Sequence, residues 1–259
     1  MMRLSYDLHL HSCLSPCGDE DMTPGNIVGM AAVKGLDVIA VTDHNSCRNC
    51  AAAMEIGEQY GVLVIPGMEL TTMEEIHVVC LFPELEQALE FDRYVYEKLQ
   101  KIPNKAEIFG HQYQRDAEDR IVGEEEYLLI NATDISFEEV YSAVERCGGL
   151  MIPAHIDKTA NSLIANLGYI PPDSRFVCAE VKNLEKLPEL EERFPYLKNC
   201  RIITDSDAHY LEHIHEPVNW LEAEEKTAEA VIRALAATNG SNEAAGLYGE
   251  KYRKMSPDK

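Results

Sequence analysis

The chain has 259 residues, 46% of them apolar, a size and composition that suit one folded α/β domain and exclude a disordered polymer. The net charge of −22, from 45 acidic and 23 basic residues, argues against a nucleic-acid-binding surface, which needs neutralising Lys and Arg. No run approaches the ~20 apolar residues of a membrane span, and MMRLSYDLHLHS lacks a secretory apolar core, so a cytoplasmic protein whose eight cysteines are thiols is expected.

In chain order, residues 4–9 read as a first strand ending in His9-Leu10-His11. Thr23, Pro24 and Gly35 bracket a helix as N-cap, first position and terminator. Residues 37–42 form an apolar strand running into Thr42-Asp43-His44, and 49–60 are helical up to Gly61. Residues 62–66 form a third strand leading into Gly67-Met68-Glu69, and 76–82 a fourth, with His77 at its start. Strands alternating with helices predict a parallel sheet, open or closed. The rhythm breaks over 84–135, read as an insertion: an amphipathic helix to about 101, then a charged irregular stretch, whose residues 115–126 read as a solvated excursion, with a lid over the rim or an oligomer contact as alternatives. It resumes with the capping box Ser136-Phe137-Glu138-Glu139 and its helix to Gly148. Strands at 150–153, 176–181 and 201–204 follow, then a helix over 227–238 and a polar tail over 241–259. One domain is expected over 1–259.

Six of the nine histidines fall at strand ends: His9, His11, His44, His77, His155 and His209. In a strand, residues i and i+2 share a face, so His9 with His11, and Asp207 with His209, can grip one ion. Imidazole and carboxylate are ligands of borderline divalent metals. Six such positions with two paired spacings point to a metal centre.

The ordered series His9-x-His11, Thr42-Asp43-His44, Gly67-Met68-Glu69, His77, Pro153-Ala154-His155 and Asp207-x-His209 resembles the motif set of the PHP (polymerase and histidinol phosphatase) phosphoesterases over residues 7–209. The resemblance implies a distorted (β/α)7 barrel with a trinuclear site of Zn, Mn or Fe at its rim. His9, His11, Glu69 and Asp207 would hold the first metal, and Glu69, His77 and His155 the second. His44, His209 and a residue of the first loop would hold the third. Counting back from Thr23-Pro24 selects Asp19 as that loop ligand, with Glu20 and Asp21 as alternatives.

Three divalent ions against three carboxylates leave a charge of about +3, matched to a phosphate dianion. A metal-bridging hydroxide can then attack phosphorus in line. The expected activity is hydrolysis of a small phosphorylated metabolite or nucleotide, with a nucleic-acid polymer disfavoured by the acidic balance. Asp43 is a candidate to orient a ligand or shuttle a proton. Asn45, Arg48 and Lys158 are candidate phosphate contacts, and Arg175 a weaker one. His213-Ile214-His215, flanked by acids, reads as a polar loop, and Cys13, Cys17, Cys47 and Cys50 as a less favoured thiolate site. Two alternatives stand beside this reading: an amidohydrolase-like metal-dependent hydrolase, and a non-catalytic metal-binding regulatory domain.

Overall fold

The computed structural model describes residues 1–237; the polar segment 241–259 and the end of the last expected helix lie outside it. The strand β1 (Met2–Leu10) leads to helix α1 (Pro24–Lys34), β2 (Val38–Val41), α2 (Cys50–Tyr60), β3 (Leu63–Thr71) and β4 (His77–Leu81). The excursion holds α3 (Leu85–Lys98), α4 (Ala106–Phe109) and the hairpin β5 (Tyr113–Arg115) and β6 (Ile121–Glu124). Then come α5 (Phe137–Arg146), β7 (Leu150–Pro153), α6 (Leu163–Leu167), β8 (Cys178–Glu180), α7 (Leu187–Arg193), β9 (Arg201–Ile203), β10 (Trp220–Ala223) and α8 (Ala228–Ala236).

The local signals work as their chemistry dictates. The Thr23 hydroxyl accepts from the Asn26 N–H to open α1, and Gly35 closes it at φ 82°. The capping box of Ser136 and Glu139 opens α5. Among the described residues the main apolar core runs from Leu4 through Ala236, and a small second cluster joins Leu14, Leu99 and Leu129.

The main sheet has the order β10-β1-β2-β3-β4-β7. Strands β1, β2 and β3 are parallel, whereas β4 is antiparallel to both β3 and β7. This corrects the all-parallel expectation. The five residues between β3 and β4 are too few for a crossover, which needs a dozen or more, so the chain can only turn back. At the other edge β10 pairs antiparallel with β1.

The sheet curls, and the parallel pair β8–β9 spans its open side. On the β7 side the Ile156 N–H donates to the Glu180 carbonyl at 2.9 Å. On the β1 side the His11 N–H donates to the Ala208 carbonyl at 3.0 Å. Two buried carboxylates reinforce that seam: Asp205 accepts from the Leu8 N–H at 2.6 Å, and Asp7 from the Ser206 N–H at 2.9 Å. Seven strands thus surround one rim, a distorted α/β barrel.

The excursion is anchored rather than free. Asp119 accepts from the Thr23 hydroxyl and the Gly25 N–H at the start of α1, and the Tyr113 N–H donates to the Cys13 carbonyl.

Candidate metal centre

The rim gathers side chains from six strands and the segments that follow them. His9, on β1, and His11, just past it, point inward and are fully buried. His44 follows β2, Glu69 lies on β3, and His155 follows β7. Because β4 runs the opposite way, His77 at its start faces the same rim. Asp207 and His209 follow β9. Gly67 permits the approach near Glu69: a Cβ there would sit 3.0 Å from the Cys80 carbonyl and 2.9 Å from Leu81. His155 and Asp207 take positive φ values of 31° and 54°, a strain costing about 1–3 kcal/mol each that the surrounding structure must offset.

Glu69 is the hub. Its Oε1 lies 2.9 Å from Nδ1 of His77, 3.1 Å from Nε2 of His9 and 3.2 Å from Nε2 of His155. Its Oε2 lies 3.1 Å from Nδ1 of His44 and 3.3 Å from Nε2 of His11. Asp207 Oδ1 lies 3.5 and 3.4 Å from Nε2 of His9 and His11. Burial works against a charge on Glu69, yet the imidazoles of His77, His9 and His44 hold its carboxyl well below the usual range. Among the described residues three groups place all their ligand atoms within 4.8 Å: His9, His11 and Glu69; His44, Glu69 and His77; His11, His44 and His209. Packing five imidazoles around one buried carboxylate, with Asp207 and Glu180 as the neighbouring acids, suits a set of bound cations.

A second layer sets which nitrogen faces inward. Nδ1 of His9 lies 2.7 Å from Glu180 Oε2. Nδ1 of His11 lies 3.0 Å from the Ser15 hydroxyl, which gives its own proton to Asp43 Oδ1 at 2.7 Å. Ser15 must therefore accept from His11, so Nδ1 carries the hydrogen and, in the neutral ring that a metal needs, Nε2 presents a lone pair. Asp43 also accepts from the Ser12 N–H and hydroxyl. Asp43 thus ties the first loop, through Ser12 and Ser15, to the end of β2. Nδ1 of His209 pairs with the Asp207 carbonyl at 2.9 Å, which leaves Nε2 free.

The remaining sequence candidates divide. Lys158 lines the pocket, its Nζ 2.5 Å from Asp207 Oδ2. Asn45 does not face it: its amide donates to the Leu129 and Asn131 carbonyls and accepts from the Thr71 N–H, so the side chain splices the excursion to β3. Arg48 is also placed elsewhere, paired with Glu125 and Asp92 and stacked 4.5 Å over Tyr96. Arg175 lies over Tyr141 in a different cavity. Asp19 turns its carboxylate to the Asp21 N–H at 2.9 Å, and no grouped set of ligand atoms includes it. The four-cysteine site does not form among the described residues, because Cys13, Cys47 and Cys50 are buried in the core while Cys17 is exposed.

Glu180 escaped sequence reasoning; its one signal was a lone acid in the apolar run Phe176–Val181. The pocket has a volume of about 660 Å³ and is lined by Cys17, His44, Glu69, His155, Lys158, Asn161, Lys186 and others. Among the described residues no helix is long and apolar enough to cross a membrane.

A family model described as the PHP domain matches residues 7–167. The phosphoribosyl 1,2-cyclic phosphate 1,2-diphosphodiesterase of Eggerthella lenta is 32% identical over 80 residues, 29% of this chain and 29% of that one. A 5′-3′ exoribonuclease of Haemophilus influenzae is 30% identical over 105 residues, 38% of this chain and 37% of that one. The chain spans less than half the length of these relatives. The lesion-specific endonuclease PfuEndoQ of Pyrococcus furiosus shares the fold, with a TM-score of 0.65 at 20% identity over 90% of this chain and 56% of that one.

Proposed function

The chain belongs to the PHP domain family, and on that premise we propose that it is a metal-dependent phosphoesterase working at the rim cluster. The observation that carries this reading is the convergence of five imidazoles on Glu69 at 2.9–3.3 Å, with Asp207 beside them. The donor set is nitrogen and carboxylate oxygen, which suits Zn, Mn or Fe alike. His9, His11, Glu69 and Asp207 would hold one ion, Glu69, His77 and His155 a second, and His44 with His209 part of a third. Bound there, such ions supply Lewis acidity, an activated water and positive charge for a phosphate dianion.

The chain's own groups do the rest. Glu180 and the Asp43–Ser15 pair hold His9 and His11 with Nε2 inward. Lys158, free to leave Asp207 once that carboxylate ligates, can reach a phosphoryl oxygen from the pocket wall. Lys186 adds a second ammonium on the same wall. No protein nucleophile is needed.

A small phosphorylated metabolite or nucleotide is the substrate class we favour, since a cavity of about 660 Å³ lies in the range of small-ligand sites and the net charge of −22 repels a long polyanion. The names of the exoribonuclease and endonuclease relatives support a second reading, in which the end of a nucleic-acid strand enters the same pocket. Hydrolysis of p-nitrophenyl phosphate, its bis ester, a metabolite and nucleotide panel and short RNA is to be measured after loading with Mn, Fe or Zn. Turnover that Asp207→Asn abolishes supports the proposal. Metal-loaded protein inert on every phosphoester, yet active on cyclic amides, would replace it with the amidohydrolase reading.

A further inference from the structure

Two of the three ligand groups contain Glu69, but the third, His11, His44 and His209, has no anionic donor. A dication there would be held by neutral rings alone. Nδ1 of His44, a residue 3% exposed on the pocket wall, makes no hydrogen bond, although Glu69 Oε2 lies 3.1 Å away. A buried ring nitrogen left unpaired inside a polar pocket asks for a ligand. The first loop is the nearest source of a further donor. The Asp19 N–H donates to the His209 carbonyl at 2.9 Å, pinning that loop beside the third group. One oxygen of the Asp19 carboxylate accepts from the Asp21 N–H, and Asp19 is not among the residues that line the pocket.

Cys17, whose thiol like the Asp19 carboxylate belongs to none of the grouped sets, is the loop residue that lines the pocket, together with His44, Asp207 and His209. Its place is built in: the Gly18 N–H donates to the Ser15 carbonyl, and a Cβ on Gly18 would meet the Ser12 carbonyl oxygen at 2.4 Å, so the loop has one tight path. The other seven cysteines are off the pocket wall. Cys13, Cys47, Cys50, Cys80, Cys147 and Cys178 are buried, and the Cys200 thiol donates to the Phe176 and Tyr196 carbonyls.

We propose that Cys17 supplies the loop ligand of the third ion as a thiolate, in the place the sequence reading gave to Asp19. The inference rests on the metal-centre reading and deepens it. On binding, the thiol gives its proton to solvent and the sulfur lone pair forms the metal bond, so the site gains one negative charge and a soft donor. A soft donor shifts preference toward Zn or Fe(II) and away from Mn and Mg.

The test is titration of the whole chain with cobalt(II) chloride, followed by absorption. A thiolate–cobalt charge-transfer band in the near ultraviolet is expected at saturation. It is lost in Cys17→Ser and in Cys17→Asp, the latter retaining the visible cobalt bands, and it persists in Asp19→Asn. Visible cobalt bands without charge transfer, or a band that survives Cys17→Ser, would overturn the role of Cys17 and leave the metal centre standing. No cobalt absorption at all would overturn both.

Discussion

Nδ1 of His9 and Oε2 of Glu180 lie 2.7 Å apart, both groups buried, on strands 171 residues apart in sequence. This contact fixes the ring so that Nε2 faces Glu69 and Asp207. Glu180→Ala is expected to weaken metal affinity by about 10–100-fold, since removing such an outer partner frees the ring. Glu180→Gln, whose amide oxygen can still accept from Nδ1, is expected to recover most of the loss. Competition with a fluorescent chelator measures both, and equal affinity in all three proteins would remove Glu180 from the site.

Lys158→Met separates metal binding from substrate binding. Its ammonium reaches Asp207 from the pocket wall without belonging to a grouped ligand set. KM for the best phosphoester is expected to rise about tenfold or more, the loss of one charge-assisted hydrogen bond, with the metal count unchanged. A lower metal count would make Lys158 a structural partner of Asp207 instead.

Arg48→Met tests the opposite assignment. The guanidinium neutralises the buried Glu125, which also accepts from the Tyr96 hydroxyl at 3.0 Å and the Tyr127 N–H at 3.1 Å. Leaving that carboxylate unpaired is expected to cost about 3 kcal/mol in urea unfolding, with KM unaltered in the folded fraction. A raised KM at full stability would return Arg48 to the substrate.

Proton competition gives a pH dependence. Burial disfavours charge on His11, yet hydrogen bonds to Asp207 and Glu69 carry its pKa up to about 9 from 6.5. A raised pKa means that the imidazolium's contribution to the metal-free fold is complete below 6.5 and is lost as pH rises through 9. A metal ion needs the neutral ring. The gap in Tm between metal-loaded and metal-free protein is therefore expected to widen from pH 6 to pH 9. A gap constant across that range would contradict this account of His11.

Much of the centre was legible because its spacing is geometric. His9-x-His11 and Asp207-x-His209 read as shared faces, and strand ends read as a rim. The direction of β4 was not, although the short link before His77 already forbade a crossover. Arg48 and Asn45 follow His44 in sequence and so looked like phosphate contacts. The fold instead uses them to bind an excursion whose packing no local pattern reveals. Glu180 was hidden because one acid in an apolar strand carries no spacing signature. Its role appears only when β8 meets β1. Asp43 reads as fit for two roles in the sequence, and its link to His11 through Ser15 appears only in the fold.

The central claim is that one rim pocket cages several cations, and elemental analysis of the whole purified chain after saturation with zinc or manganese and desalting tests it most directly. The account predicts about three ions per chain in the wild type, with fewer in Glu69→Gln, since that carboxylate reaches two of the three ligand groups. A wild-type protein that is folded and holds fewer than about one ion per chain would contradict it.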